Sequence, residues 1–442
     1  MDKIIWMRFW IFKKSILLLS VLFGSLFAAP IDDIDALSVS GTQVVGANGQ
    51  PAKLRGMSMF WNIAQEAGPY WNANVVNWLA EDWHANLVRA AMGVEDNWGS
   101  DPNLTSEGYK GYEFDAAWNQ AMVETIVDAA IAKGIYVIID WHSHWTDDPS
   151  KPERQAKAVE FFTNMATKYG QYPNVIYEIY NEPGCGADDD CWNKIKSYAE
   201  KVIPAIRAVD PDNLILVGTP SYSSQVQIAA NNPLTGDNAF NVAYVFHFYA
   251  SEEWHYNNYM GFANTAMQKI PLFVSEWGLS PASGNGTINY SWLDVFFNWM
   301  EEKNLSWAAW SICNKNESSA SLQTSASPNG NWAESDLRES GTWLRNKLRT
   351  LNPEWSAVSG EGSAISSKPK SSSSLLLQGT DLLLNLNESA NMDLIAISGE
   401  VVKSYKNLNA NTSVSLQGLP KGIYLVKLQS KNSSKSYKIN LQ

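Results

Sequence analysis

The chain has 442 residues, 45% of them hydrophobic and 18% charged, with a formal net charge of -12. That is enough to bury a large core and to divide into more than one domain. The acidic balance, with no Lys/Arg cluster beyond the N-terminal region, excludes nucleic acid as a partner, because phosphate binding needs clustered cations. Some of the 20 tryptophans belong to a core, but so many point to a ligand with flat apolar faces, of which a pyranose ring is one.

At the N-terminus, Lys3, Arg8, Lys13 and Lys14 precede the apolar run Ile16 to Phe27. The run is short for a membrane span and reads as the apolar core of a secretory signal over residues 1–29. Cleavage is expected after Ala28 or Ala29, although Leu26 or Phe27 then falls where a small residue is usual. A start at Met7 shortens the signal without changing its meaning, and an uncleaved anchor is the alternative.

Residues 30–355 alternate two kinds of segment. The β-rich runs are LRGM at Leu54, NLVRAAM at Asn86, IYVIIDWH at Ile135, VIYEIYNE at Val175, LILVGTP at Leu214, VAYVFHFY at Val242, LFVSEWG at Leu272 and WAAWSI at Trp307. Several are continuously apolar, as strands buried on both faces require. Between them, apolar residues recur at three- and four-residue spacing. One such helix is expected over Trp118 to Gly134, with glycine at its stop, and another over Cys191 to Pro211. Eight strands alternating with helices predict an α/β fold, a (β/α)8 TIM barrel. A doubly wound open sheet is the alternative, but it calls for a Gly-rich loop after the first strand, and LRGMSMFW is not one.

Beyond the barrel, residues 356–374 are Ser-rich and read as a flexible linker. Residues 375–442 hold short alternating strands, such as DLIAI at Asp393 and GIYLVKL at Gly422, with turns at Ser398-Gly399 and Leu419 to Gly422. They predict a small all-β sandwich.

A barrel places functional groups at the C-terminal ends of its strands. Arg89 lies near the end of the second run, His142 and His144 follow the third, and Asn181 and Glu182 the fourth. His247 and Tyr249 close the sixth, Glu276 the seventh and Trp310 the eighth; the strand interiors otherwise read as almost wholly apolar. Taken singly, each has a structural reading: an ion-paired arginine, a satisfied core histidine, a turn-capping asparagine. Their convergence on one rim is the functional signal. His84 and His255 lack that placement and read as surface or helix residues. Two carboxylates on one rim, Glu182 and Glu276, suit glycoside hydrolysis. Cys185 and Cys191 bracket the loop GADDD and are a disulfide candidate worth about 2 kcal/mol at most. Cys313 is then a free thiol. Paired zinc-ligand spacing is missing, so no metal is expected.

Together, LRGMSMFW, NLVRAAMGV, IIDWHSHW, NVIYEIYNEP, DPDNLILVGTP, HFYA, FVSEWG and WAAWSICNKNESSASL resemble glycoside hydrolase family 5, in particular its bacterial endo-β-1,4-glucanases. The resemblance covers nearly all of Leu37 to Arg349. It implies a retaining mechanism with Glu182 as general acid/base and Glu276 as nucleophile. Asn181 would bond the sugar 2-hydroxyl, Arg89 and Tyr249 would hold Glu276, and His142 and His247 would flank the pair. Trp310 would be a stacking platform, and Lys315 and Glu317 would bind hydroxyls one sugar further out. Many relatives carry histidine where this chain has Phe60, so Trp61 is expected to offer a platform there, with His144 as a further substrate contact. In the C-terminal module, ISGEVVKS and LPKGIYLVKL resemble sorting domains of type IX secretion. A carbohydrate-binding module is the competing reading, but the module has no tryptophan.

The expected activity is hydrolysis of β-1,4-linked glucan by a secreted or surface-attached monomer, with no cofactor and with secretion machinery as a partner of the C-terminal module. A β-mannanase or mixed-linkage glucanase on the same scaffold, and a non-catalytic glycan-binding protein, are the alternatives.

Overall fold

A computed structural model describes residues 29–95, 110–144, 148–354, 374–378, 381–386, 389–396, 400–409, 412–430 and 434–441. The expected signal, nearly all of the Ser-rich linker and the Ser398-Gly399 turn lie outside the described residues.

Eight parallel strands close into a barrel in chain order. They are β1 (Arg55–Met59), β2 (Leu87–Gly93), β3 (Tyr136–His142), β4 (Val175–Glu178), β5 (Ile215–Val217), β6 (Val242–Tyr249), β7 (Leu272–Gly278) and β8 (Trp307–Ile312). Each corresponds to one of the eight runs read from the sequence. Closure requires the first and last strands to pair, and β8 meets β1 with Trp307 opposite Arg55 and Trp310 opposite Ser58. Gly56 makes a close approach possible: a Cβ there would lie 1.7 Å from the Leu87 carbonyl oxygen of β2.

Alternation along each strand sorts side chains between two environments. One parity faces the helices, in a continuous core that includes Val88, Ile139, Tyr177, Phe248, Trp277 and Trp307. The other faces the barrel axis. Its lower part is apolar, with Leu87, Tyr136, Ile138, Ile176, Leu216, Val245 and Phe273 packed together. Further along the same inward parity come Arg89, Asp140, Glu178 and His247, all buried. The barrel interior is therefore a hydrophobic plug beneath a polar layer at the C-terminal end.

The helices follow their local signals. Ala116–Lys133 starts on Asp115, whose side chain accepts from the Trp118 amide, and stops at Gly134 in the left-handed region. Asp189–Arg207 starts on Asp188, which accepts from the Cys191 amide, and carries Pro204 within its last turn. The Cys185–Cys191 disulfide ties the start of this helix to the exit of β4, and Cys313 is buried and free.

The C-terminal residues form an antiparallel three-stranded sheet and an antiparallel four-stranded sheet. Leu382, Leu384 and Val414 of the first pack with Met392, Leu394, Val426 and Leu428 of the second in a core of their own. This is the expected small sandwich.

Candidate active site

Arg89 organises the polar layer. Its Nε and Nη2 donate to both oxygens of Glu178 at 2.8 and 3.0 Å, and its Nη1 donates to Glu276 Oε2 at 2.9 Å. Nη2 also reaches Asp140 Oδ2 at 2.9 Å and donates to Asn181 Oδ1 at 2.6 Å. Arg89 is fully buried, so its charge must be met by protein groups.

Asp140 and Glu178 correct the sequence reading, which took the strand interiors as almost wholly apolar. Both are buried carboxylates inside strands. Their signal was available: each is a lone acid in an apolar run, at the parity that faces the axis. Only closure of the barrel shows that they share one guanidinium.

Glu182 and Glu276 arrive from opposite sides. Glu276 lies on β7, with Arg89 below it and the Tyr249 hydroxyl donating to its Oε1 at 2.7 Å. Glu182 lies just past β4. Pro183 turns the chain beside Gly218, where a Cβ would stand 2.5 Å from the Tyr180 carbonyl oxygen and 2.9 Å from Pro183 Cδ. Glu182, His247 and Glu276 each turn one side-chain atom to within 4.8 Å of the other two. These are metal-ligand types, but the atoms already have protein partners. His247 Nδ1 meets Glu182 Oε1 at 2.8 Å and its Nε2 meets Ser275 Oγ at 2.9 Å.

Four carboxyls, Asp140, Glu178, Glu182 and Glu276, surround one arginine, so they do not share its charge equally. Burial pushes Glu178 up, but the charge and hydrogen bonds of Arg89 outweigh it and hold this acid below the usual carboxylate range. Burial raises Glu182, opposed by its bond to His247 and reinforced by the charge of Glu276. His247 rises to about 9: burial alone would lower it, but its bonds to Glu178 and Glu182 and the charge of Glu276 prevail. The Glu182–His247 pair therefore holds protons tightly. Burial, with the charges of Glu276 and Glu182, keeps the Tyr249 phenol neutral and a donor.

Above these groups opens a cavity of about 580 Å³. Glu182, Glu276, His142, His144, His247 and Tyr249 line it, together with Trp61, Trp310, Lys315 and Glu317. Arg89 and Asn181 stand behind, fully buried. His144 Nε2 lies 3.0 Å from Asn181 Nδ2 and 3.5 Å from Glu182 Oε2. Trp310 stacks on His142, with ring centres 5.3 Å apart and planes inclined by 7°. Lys315 is paired with Glu317 at 2.8 Å.

His255 departs from its sequence reading. It is on a helix, Glu253–Ala266, but it lines the cavity. Its Nδ1 accepts from the Tyr249 amide at 2.9 Å, so the end of β6 anchors the ring. Tyr222, also in the wall, was not singled out. It sits in the left-handed region between Ser221 and Ser223, with φ of 55°, 58° and 56° along the three. Such strain marks functional loops, but sequence carries no sign of it when the residues are not glycine. His84 occupies the turn before β2.

A family model described as cellulase (glycosyl hydrolase family 5) matches residues 45–316. A second, described as a secretion system C-terminal sorting domain, matches residues 379–442. An endoglucanase of Clostridium saccharobutylicum is 40% identical over 338 residues, spanning 73% of this chain and 69% of its own. Endoglucanase Z of Dickeya dadantii is 39% identical over 339 residues, spanning 76% and 70%. Among solved structures, one from Cytophaga hutchinsonii superposes with a TM-score of 0.65 at 41% identity, over 73% of this chain and 97% of that one. The catalytic domain of a Thermobifida fusca endoglucanase superposes with a TM-score of 0.63 at 33% identity, over 73% and 99%, and a variant of it has been solved with cellotetraose.

Proposed function

The chain belongs to the cellulase family, glycosyl hydrolase family 5, and from that premise we propose that it is a retaining endo-β-1,4-glucanase with Glu182 as acid/base and Glu276 as nucleophile. The observation that carries the assignment is the asymmetry of the two acids. Glu276 receives donors from Arg89 and Tyr249 on its two oxygens. Glu182 is raised by burial and by the neighbouring negative charge, the condition for an acid that keeps its proton until it is needed.

In the first step Glu182 gives its proton to the glycosidic oxygen as the bond to the anomeric carbon breaks. Glu276 Oε attacks that carbon, and the shortened glucan leaves with a new hydroxyl. In the second step Glu182, now a carboxylate, takes a proton from water. The water oxygen displaces Glu276 and restores the original configuration. The spacing within 4.8 Å supports retention, because an inverting pair needs roughly 6.5–9.5 Å to seat a water between the acids. Asn181 stands beside Glu182 for the sugar 2-hydroxyl. Trp61 and Trp310 offer ring faces, and Lys315 with Glu317 offers polar contacts further along the chain of sugars.

The sorting domain over residues 379–442 fits secretion or attachment to the cell surface. We place the N-terminal segment as the signal that starts export.

The test is product release from carboxymethyl cellulose, mixed-linkage glucan and mannan side by side, with the anomer followed by NMR. A fall in viscosity faster than reducing ends appear, with β-configured product, is expected on the cellulosic substrate. A preference for mannan or for mixed-linkage glucan would replace the substrate assignment. Binding without hydrolysis would make the chain a glycan-binding protein.

A further inference from the structure

One wall of the cavity takes no part in the two chemical steps. It begins at the exit of β4, where the Tyr222 amide donates to the Pro183 carbonyl oxygen at 3.0 Å, one residue past Glu182. It continues through Ser224, whose side chain meets the Tyr259 phenol. It ends at His255, whose ring stacks on Tyr259 with centres 4.1 Å apart and planes inclined by 17°. Tyr222, Ser224, Tyr259 and His255 all line the cavity.

The protonation of His255 is fixed by its backbone partner. An amide N–H can only donate, so the 2.9 Å bond from the Tyr249 amide requires a lone pair on His255 Nδ1. The ring is then neutral, and its one hydrogen sits on Nε2. Burial works in the same direction and pushes the imidazole down to about 4. Nε2 has no hydrogen-bond partner among the described residues, and it is not sealed from solvent. This N–H therefore opens on the cavity that the ring lines.

Sidedness follows from the barrel. The strands run around it in chain order, so the exits of β5 and β6 stand across from those of β1 and β2, with β8 beside β1. Trp61 belongs to the exit of β1, and Lys315 and Glu317 to that of β8. These groups take the sugars joined to the carbon that Glu276 attacks. The opposite wall starts beside Glu182, the group that protonates the departing oxygen, and is left for the departing part of the glucan.

We propose that His255 is a substrate-binding residue on the leaving-group side, where its Nε2–H donates to a hydroxyl oxygen of the departing glucan. This rests on the reading of Glu182 as acid/base and Glu276 as nucleophile. Anchored through Nδ1 and stacked on Tyr259, the ring has little freedom left to lose when a sugar binds, so the donor is preorganised.

The test compares kcat/KM on cellopentaose, which fills both sides, with kcat/KM on an aryl cellobioside, which has no sugar hydroxyl on the leaving side. Two variants separate the roles of the two nitrogens. In His255→Asn the amide oxygen can still accept from Tyr249, but nothing reaches the place of Nε2. In His255→Gln the amide nitrogen reaches that place, and the Tyr249 amide goes unmet. The ratio of the two values, cellopentaose over aryl cellobioside, should fall about fivefold in His255→Asn and recover in His255→Gln. A ratio unchanged in His255→Asn, or no higher in His255→Gln, overturns the proposal. Nitrogen NMR of the full-length wild-type chain with labelled histidine needs no variant at this position. His255 should show a protonated Nε2 and a bare Nδ1, and its Nε2–H signal should shift when cellopentaose is added to the Glu276→Ala chain. A protonated Nδ1, or a signal that cellopentaose bound to that chain leaves unmoved, also overturns it. A wild-type chain that cleaves neither substrate overturns the glucanase reading itself, and the proposal with it.

Discussion

Glu276 and Trp310 carry the sharpest expectations for single side chains. Glu276→Ala removes the carboxylate proposed as the nucleophile and leaves a space in its place. Hydrolysis should fall by several orders of magnitude while glycan binding persists. Added azide should restore part of the turnover as an α-glycosyl azide, seen by NMR; a wild-type rate without azide would exclude Glu276 as nucleophile. For Trp310, the family resemblance implies a stacking platform at the rim. In the structure the ring is only 5% exposed and packs on Phe60 and His142. Trp310→Ala therefore opens a cavity as well as removing a stacking face. It should cost about 2–4 kcal/mol in kcat/KM and about 3 kcal/mol in unfolding free energy. Calorimetry alongside kinetics separates the two, and an unchanged melting temperature would mean that the neighbours close the gap.

At the level of elements, the exit of β4 decides whether Glu182 points at its target. Three constraints meet there: Pro183, the disulfide from Cys185 to Cys191, and Gly218 after β5. Gly218→Ala would drive a Cβ against the Tyr180 carbonyl and the Pro183 ring, and the chain carrying Glu182 must shift to admit it. We expect kcat to drop at least tenfold, since displacements of about 1 Å cost that much or more, with a smaller change in melting temperature. The disulfide closes a loop of only a few residues, so Cys185→Ser with Cys191→Ser should cost about 2 kcal/mol at most in chemical denaturation. A larger loss would show that the bridge also stiffens the helix Asp189–Arg207. The residue-by-residue pattern of the strands was readable because runs buried on both faces are continuously apolar. Asp140 and Glu178 were passed over for the same reason: an acid inside such a run breaks the pattern without announcing a partner.

For the whole molecule, the barrel and the C-terminal sandwich have separate hydrophobic cores. A chain ending near Trp355 should hydrolyse a soluble glucan at the full-length rate and melt as one transition. A large loss of kcat would mean that the sandwich supports the barrel. In a host with the matching secretion system, the same truncation should stop export, measured as activity retained in cells. The order of strands, the separate C-terminal module and the two glutamates could all be found in the linear sequence. Each depends on local chemistry, namely burial periodicity, turn residues and a carboxylate at a strand end. What only the tertiary structure decided is how those carboxyls are charged. Arg89, Glu178, Glu182, His247 and Glu276 are spread along the chain, with 187 positions separating Arg89 from Glu276, and no spacing rule links them. They meet because closing the barrel brings the inward parity of β2, β4, β6 and β7 into one water-poor layer, where a single buried arginine must divide its charge among several acids.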